Sequence, residues 1–201
     1  MFNHLRPALV LFVLLTVITG LIYPLAITGF AQVLFPHQAN GSLVSNNGHV
    51  IGSTLIGQDF TGDQYFHGRL SATTDTDPND PAKTVAAPYN AASSVGSNLG
   101  PTSKALMDRI RADSQKLRPG NTGDPIPADL VTTSASGLDP HISPEAALFQ
   151  VKRIAGSRGM DEEQLKSLVS AHTQGRWLGI LGEPVVNVLD LNIALDAGRK
   201  P

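Results

Sequence analysis

The stretch ALVLFVLLTVITGLIYPLAITGFAQVLF, residues 8–35, decides the fold of this chain. Its 28 residues contain no Asp, Glu, Lys or Arg, and the charge-free run extends from Pro7 to Gln58. As a straight helix the stretch would measure roughly 42 Å at about 1.5 Å per residue, whereas the hydrocarbon core of a bilayer is about 30 Å thick. We therefore predict one transmembrane helix over residues 8–35, which tilts or projects beyond the lipid.

A cleaved secretory signal is the alternative interpretation of this apolar run. The apolar core of a signal is usually about 7–15 residues long and ends at a small-residue cleavage site. The run here is about twice that length, and only a poor version of such a site is present, at residues 26–31. The pattern therefore favours an uncleaved anchor.

The charges that flank the helix predict its orientation. Arg6 and the α-amino group precede the helix, and the next Lys or Arg in the chain is Arg69. Because positively charged flanks are retained in the cytoplasm, residues 1–7 should form a cytoplasmic stub. Residues 36–201 should then form a domain on the opposite side of the membrane.

Small residues and one proline occupy every fourth position along part of the predicted membrane helix: Thr16, Gly20, Pro24 and Thr28. In lipid, such stripes allow two helix backbones to approach closely, so this face is a candidate interface with a partner helix. Proline should also kink the helix. The alternative is that small residues and proline are simply common in membrane helices.

The residues beyond the helix have the composition of a globular domain without disulfides. Arg6 accounts for one of the 15 Lys and Arg residues, so the outer domain carries 14 of them against 17 Asp and Glu, a net charge of −3. The chain has no cysteine. The lack of a basic patch argues against a nucleic-acid partner, and about 160 residues are enough to bury a core.

Three helices are predicted in the outer domain from their caps and their apolar spacing. The first spans Lys104 to Leu117. The second begins at Ser143, a capping residue that is followed by a proline and an acid. The third is capped by Asp161, with Gln164 in the capping-box position three residues later.

The rest of the outer domain is predicted as strands and turns. An Asn-Gly pair between two short apolar runs indicates a β-hairpin over residues 43–51. Residues 126–132 and 185–191 are predicted as strands, and residues 192–195 as a short final turn. Residues 72–101 are predicted to be a long irregular excursion. Helices and strands together indicate an α+β domain that follows one transmembrane helix.

The sequence contains no convincing catalytic motif. A phosphate-binding loop, HExxH, GxSxG and CxxC are all absent. Ser134, Ser136, Asp139 and His141 lie close in sequence, which leaves open a membrane-anchored hydrolase that uses Ser136 or Ser134 with His141. We favour the simpler interpretation, a turn that leads into the second helix. Asp139, His141 and His172 could bind a metal, but their spacing matches no established site, so no metal ligands are predicted.

Three other polar residues have mainly structural interpretations. His67 and Arg69 follow two aromatic residues, and we predict them to anchor a loop in preference to touching a ligand. Gln150 lies in the middle of the second helix, where a polar amide is expected to face solvent.

Six segments in a fixed order, behind one N-terminal membrane helix, carry a resemblance to a known family. The segments are Gly52–Gln58, Tyr65–Arg69 with Ser71 and Ala72, Gly96–Pro101, Asp129–Pro144, His172–Arg176 and Gly182–Asn192. They resemble the C subunit of the bacterial high-affinity potassium-transporting ATPase, KdpC, over nearly the whole chain. The string SASGLDPHISP, residues 134–144, is the most specific of them.

The resemblance implies a subunit without chemistry of its own in a complex of the bacterial inner membrane. Its partners would be a potassium-selective channel-like subunit, a P-type ATPase subunit and a small helical subunit. The C subunit would act in assembly and as a catalytic chaperone that raises the ATP affinity of the ATPase subunit. It would have no cofactor of its own, since ATP belongs to the complex. Gln150 matches a glutamine that the family view links to nucleotide.

The predicted topology places Gln150 on the outer, periplasmic face, where ATP is essentially absent. Either the orientation is inverted, which the N-terminal Arg6 flank disfavours, or the nucleotide effect is relayed through the membrane helix. Another hypothesis is that the outer domain covers the potassium entrance of the channel-like subunit, where a net charge of −3 would mildly favour cations.

Overall fold

A computed structural model of the chain describes residues 4–46, 48–118 and 123–198, and it confirms a long apolar helix followed by an α+β domain. The chain divides into two compact units, and the division falls between Ile51 and Gly52.

The N-terminal helix runs from Leu5 to Leu34 and is long and apolar enough to span a membrane. It consists of α1 (Leu5–Val17), a π-helical turn (Ile18–Ile22) and α2 (Tyr23–Leu34). None of its residues is buried within the chain. In the π-turn the Tyr23 N–H donates to the carbonyl of Ile18, five residues back. The turn ends two residues before Pro24, whose ring lacks the N–H that an α-helical ladder requires.

The rest of the first unit is a short helix and most of a hairpin. Helix α3 (Pro36–Ala39) is followed by β1 (Leu43–Asn46) and β2 (His49–Ser53), which form a two-stranded sheet. The predicted hairpin is therefore confirmed in its strands. Asn47 of the predicted turn lies outside the described residues, and Gly48 has the positive φ of +81° that such a turn requires.

The second unit has its core where three helices pack against a small antiparallel sheet. The sheet has the order β5-β7-β6 and consists of β5 (His141–Ile142), β7 (Val185–Asn187) and β6 (Thr173–Gln174). The helices are α5 (Pro144–Arg158), α6 (Glu162–Ala171) and α7 (Val188–Ala197). Fully buried side chains from these elements and one loop form the centre of the core: Phe66, Ile154, Leu165, Val186 and Leu191.

The predicted helix starts are confirmed by their capping hydrogen bonds. The Ser143 side chain accepts from the Ala146 N–H at 3.1 Å, and the Asp161 side chain accepts from the Gln164 N–H at 3.1 Å. Helix α4 (Lys104–Leu117) has the predicted bounds. These polar caps satisfy N–H groups that have no partner within the helix.

The predicted strand over residues 185–191 and the predicted turn over residues 192–195 are wrong beyond Asn187. The Asn187 side chain accepts from the Asp190 N–H at 3.2 Å and caps α7, which continues through Ala197. The buried residues Val188, Leu191 and Leu195 follow the helical spacing of three and four.

Two further predictions for the outer domain need correction. Residues 126–132 contain a 3-10 turn (Ala128–Leu130) where a strand was predicted, and Pro127 has no N–H to donate to a strand ladder. The segment 72–101 is not irregular throughout, because β3 (Thr74–Asp77) and β4 (Asp80–Ala86) pair antiparallel. The Asp77 carboxylate accepts from the Asn79 N–H at 2.8 Å, an Asx turn that closes this hairpin.

Candidate functional site

Two buried amides hold the backbone of one short segment, Phe66-His67, between helices α5 and α7. Asn192 of α7 accepts from the Phe66 N–H at 2.9 Å and donates to the Phe66 carbonyl at 2.9 Å. Gln150 of α5 accepts from the His67 N–H at 2.8 Å and donates to the His67 carbonyl at 3.1 Å. The two side chains thus pair the backbone as strand neighbours would, and we call this arrangement the amide clamp.

Gln150 is buried, so the prediction that it faces solvent is wrong. Only 3% of its surface is exposed. Besides its two bonds to His67, its Nε2 donates to the Ala146 carbonyl at 3.2 Å and its Oε1 accepts from Arg153 at 2.8 Å. Two donated and two accepted bonds exhaust the usual capacity of a carboxamide. The side chain therefore has no hydrogen-bonding group left for a ligand in this conformation.

Two arginines of α5 hold the carbonyls that precede the clamp. Arg153 donates to the Asp63 carbonyl and, at 2.9 Å, to the Tyr65 carbonyl. Arg158 donates to the Gln64 carbonyl at 2.7 Å, pairs with Asp196 at 2.8 Å and stacks over the Tyr65 ring. Charged donors make strong hydrogen bonds to carbonyls, so the loop that carries Phe66 is fixed from one side by α5.

A cavity of about 350 Å³ adjoins the clamp, and Gln150 is one of its lining residues. Its walls combine polar and apolar side chains, with Gln150, Arg153 and His67 on one side. Phe149 and Leu117 contribute apolar surface. The volume lies at the lower end of the range of about 300–1,000 Å³ that is usual for ligand pockets.

His67 lies in this wall as a neutral imidazole. Its Nε2 lies 3.0 Å from the Gly62 carbonyl, which can only accept, so this nitrogen carries the hydrogen. Burial, reinforced by the positive charge of Arg153, lowers the pKa of His67 below 6.5. Its environment therefore disfavours protonation.

We expect the free energy of unfolding of the detergent-solubilised chain to decrease as the pH falls below about 6.5, because the unfolded chain then binds a proton at His67 that the folded chain excludes. The stabilisation is fully present above that pH and is lost below it. Denaturant unfolding at about pH 5 and pH 7 measures the change.

The matched variant for this pH dependence is His67→Gln, which keeps an N–H donor but does not titrate. It should unfold with a smaller pH dependence than the native chain. The same slope in both chains would refute the role of His67. The titration of Asp139 does not contribute to the difference between pH 5 and pH 7, since the pKa of this carboxyl is lowered from its ordinary value of about 4.

The four residues of the hydrolase alternative do not form a catalytic arrangement. Ser134 is buried, and the Ser136 hydroxyl accepts from the Leu138 N–H at 3.1 Å, within its own turn. His141 lies 3.6 Å from Asp139, and Asp139 pairs with Arg69 at 3.2 Å. Among the described hydrogen bonds none joins a serine hydroxyl to His141. Nucleophile and base are therefore not positioned for attack.

Burial alone would raise the pKa of Asp139, but hydrogen bonds from the side chain and backbone of His141 and the charge of Arg69 lower it instead. Asp139 is thus a stable carboxylate that holds two loops together. Arg69 acts as the predicted loop anchor. His172 ends α6 and lies 2.9 Å from the Leu168 carbonyl through Nδ1. In the described parts of the chain no group of three metal-ligating side chains occurs.

The four residues of the predicted partner-helix face lie on the exposed N-terminal helix. The Thr16 hydroxyl donates to the Phe12 carbonyl at 2.8 Å, within the helix, so it exposes mainly its methyl group. Apart from the adjoining backbone of the helix itself, no atom lies within 4 Å of the position that a Cβ at Gly20 would occupy, so the space beside this glycine is open. Pro24 and Thr28 follow in α2. Nothing within the described chain covers this face.

The sequence interpretation missed Asn192 as the second half of the amide clamp. The signal was present, because positions 188, 191, 192 and 195 share one helical face and all are buried. The predicted strand over 185–191 concealed this spacing. With a helix recognised there, Asn192 would have stood out as a polar residue on an apolar face, which normally has a buried partner.

One helix that is long and apolar enough to span a membrane thus precedes a domain whose buried amides Gln150 and Asn192 bind the chain's own backbone. The family model described as KdpC, K+-transporting ATPase, c chain, matches residues 5–197. The chain therefore belongs to the KdpC family, the non-catalytic C subunits of the Kdp potassium-transporting ATPase complex.

Close relatives match along nearly their whole length. The "Potassium-transporting ATPase KdpC subunit" of Methylobacterium nodulans is 66% identical over 196 residues, which cover 98% of each chain. The subunit of the same name from Rhodopseudomonas palustris strain BisB18 is 63% identical over 199 residues, or 99% of this chain and 100% of the relative. That of Bradyrhizobium diazoefficiens is 64% identical over 196 residues, 98% of each.

Proposed function

We propose that this chain acts in the assembly of the potassium uptake complex and raises the ATP affinity of its P-type ATPase subunit without contacting ATP. The observation that carries the proposal is the helix Leu5–Leu34, none of whose residues is buried in the chain. An apolar surface of this length needs lipid or partner helices around it. Attachment to the other subunits, and not chemistry, is the function that this architecture supports.

The π-turn favours the Thr16–Gly20–Pro24–Thr28 face as the attachment surface. In a regular α-helix of 3.6 residues per turn, positions four apart drift by about 40° per step. The π-turn Ile18–Ile22 lies in the middle of this stripe. Because its hydrogen bonds reach one residue further back, it turns less per residue and offsets part of the drift. Gly20 and Thr28 thereby come closer to one face.

We expect Gly20→Leu to loosen the complex, because a leucine at this open position would keep a partner backbone from close approach. The yield of ATPase subunits that co-purify with the tagged chain in mild detergent should fall severalfold. Affinity purification followed by quantitative mass spectrometry measures it.

Gly29→Leu is the matched control, since it makes the same change in the same helix. In a regular α-helix nine residues correspond to about two and a half turns. The π-turn reduces this rotation in part, and Gly29 still lies on a different side of the helix from Gly20. Both glycines have open space beside them. If the two variants co-purify equal amounts of the ATPase subunits, the stripe is not the attachment face.

The orientation of the chain in the membrane is part of the proposal. The N-terminal residues 1–7 lie in the cytoplasm, and residues 36–201 lie on the periplasmic side of the inner membrane, as the position of Arg6 favours. The domain would there cover the potassium entrance of the channel-like subunit. The chain has no native cysteine. A single cysteine introduced into the domain should therefore react with an impermeant maleimide in cells with a permeabilised outer membrane, and no reaction would place the domain inside.

The proposed role assigns Gln150 an indirect part in nucleotide affinity. Its four hydrogen bonds hold the fold, so a change there would alter the shape of the domain that the complex binds. The nucleotide effect is then transmitted through subunit contacts.

A further inference from the structure

The loop between β6 and β7 exposes four large apolar side chains in five residues. Trp177 is 68% exposed, Leu178 72%, Ile180 74% and Leu181 53%. We call residues 177–181 the finger. Single exposed apolar residues are ordinary, but a contiguous group of this size marks an interaction surface.

Four of the five backbone N–H groups of the finger donate to carbonyls of the finger or of the adjoining Arg176. Trp177 and Leu181 exchange two hydrogen bonds, of 2.8 and 3.0 Å, and the Ile180 N–H donates to the Trp177 carbonyl at 3.2 Å. The Gly179 N–H donates to the Arg176 carbonyl at 3.0 Å. Since unpaired backbone groups are what makes burial of a loop costly, these hydrogen bonds lower the cost of placing the finger in an apolar site.

The tip of the finger keeps an apolar side chain in a conformation that such residues rarely adopt. Leu178 has a φ of +52° and Gly179 a φ of +76°, the two positive values of a tight primed turn. Glycine or asparagine normally occupies the first position. A non-glycine residue held in a left-handed backbone conformation costs conformational energy, and such strained residues cluster at functional sites.

An apolar groove of about 420 Å³ lies at the base of the finger. Its lining includes Pro144, Leu148, Val169 and Thr173, and it is completed by Gly175 and Pro184, which flank the loop. Leu148 is 45% exposed there. The surface therefore combines a projection with a depression.

The charges beside this surface are paired within the chain. Arg176 binds Glu183 at 2.6 Å across the base of the finger, and Lys166 at the groove binds Glu163 at 2.7 Å. Loops and helices that insert into lipid headgroups usually carry several free basic residues around their apolar part. A nearly neutral surface with both a projection and a depression fits another protein better than a flat, anionic lipid surface.

We propose that the finger and the groove together form a docking surface for another protein subunit of the complex. The partner presents an apolar recess for Trp177 and Ile180 and an apolar projection for the groove. This interface belongs to the outer domain, so it is independent of the helix face discussed above. Aromatic side chains such as tryptophan are the most frequent energetic centres of protein interfaces.

The first test compares Trp177→Ser/Ile180→Ser with Leu55→Ser in the full chain assembled into the complex. Leu55 is 61% exposed and belongs to neither finger nor groove. The finger variant should dissociate from the immobilised complex about tenfold faster than the native chain, since loss of central interface residues acts mainly on dissociation. Leu55→Ser should dissociate as the native chain does. Equal rates for both variants would overturn the proposal.

The second test does not depend on the folding of a variant with two changes. A photo-crosslinking amino acid replaces Ile180 in the full chain, with Leu55 as the matched position, and the complex is irradiated in its native membrane. An adduct with another subunit from position 180 alone is the expected result. Adducts with phospholipid only, with a second copy of this chain only, or with no subunit at all would each overturn the proposal.

Discussion

Gln150→Ala is expected to lower the free energy of unfolding of the domain by about 2–4 kcal/mol, because each buried polar group left without a partner costs about 1–3 kcal/mol. The substitution removes the partners of the His67 N–H and carbonyl, and one of the acceptors of Arg153. All three groups lie at least partly out of reach of water. Denaturant unfolding of the detergent-solubilised chain, followed by far-UV circular dichroism, measures the loss.

Gln115→Ala is the control for this change, since it makes the same substitution in helix α4 at an exposed position that caps no helix. Its effect should stay within about 0.5 kcal/mol. Gln150→Glu is a second comparison, because its carboxylate keeps an oxygen that can accept from the His67 N–H but has no hydrogen to donate to the His67 and Ala146 carbonyls. It should be less stable than the native chain. Equal stabilities of the two alanine variants would show that the amide clamp contributes nothing.

Gly137→Ala is expected to be the second severe change, with a loss of about 3 kcal/mol, since a left-handed conformation and a steric clash both oppose the new methyl group. Gly137 has a φ of +70°. An added Cβ would lie 2.5 Å from the Thr73 methyl carbon and 2.7 Å from the Val95 carbonyl oxygen. Thr73 is only 2% exposed and cannot move aside freely. The same unfolding measurement applies.

Gly159→Ala separates the two contributions to that loss. Gly159 also has a positive φ, of +65°, at the end of α5, but no atom lies within 4 Å of its added Cβ. The variant should therefore lose only the conformational part, about 1–2 kcal/mol. If Gly137→Ala is no less stable than Gly159→Ala, the close packing between the loops of Thr73, Val95 and Gly137 is not what requires the glycine.

Local signals in the sequence were sufficient to predict the helices that begin with a polar cap. Ser143 and Asp161 each have a side-chain oxygen that reaches the N–H three residues later, and this requires only the sequence around the cap. The apolar run 8–35 was equally clear, because the length of an uncharged apolar stretch is enough to identify a membrane-spanning helix. Such features depend on few residues and on no distant contact.

The amide clamp could not be predicted, because it joins residues that are far apart in sequence. Gln150 meets His67 across 83 positions, and Asn192 meets Phe66 across 126. Taken alone, a glutamine in a helix is expected on the surface. Asn187 similarly ends a strand and begins α7 in a run of alternating apolar and polar residues, which has the period of a strand. The strands of the β3–β4 hairpin contain one large apolar side chain, Val85, so no hydrophobic pattern indicated them.

The most direct test of the proposed indirect role is the KM for ATP of the purified complex carrying either Gln150→Ala or Asn192→Ala. Both residues hold the same segment, but Gln150 alone of the two borders the cavity. If the chain influences ATP affinity through its fold and its subunit contacts, both variants should raise the KM in proportion to their loss of stability. A raised KM with Gln150→Ala and a native KM with an equally destabilised Asn192→Ala would contradict that role and indicate direct contact between Gln150 and nucleotide.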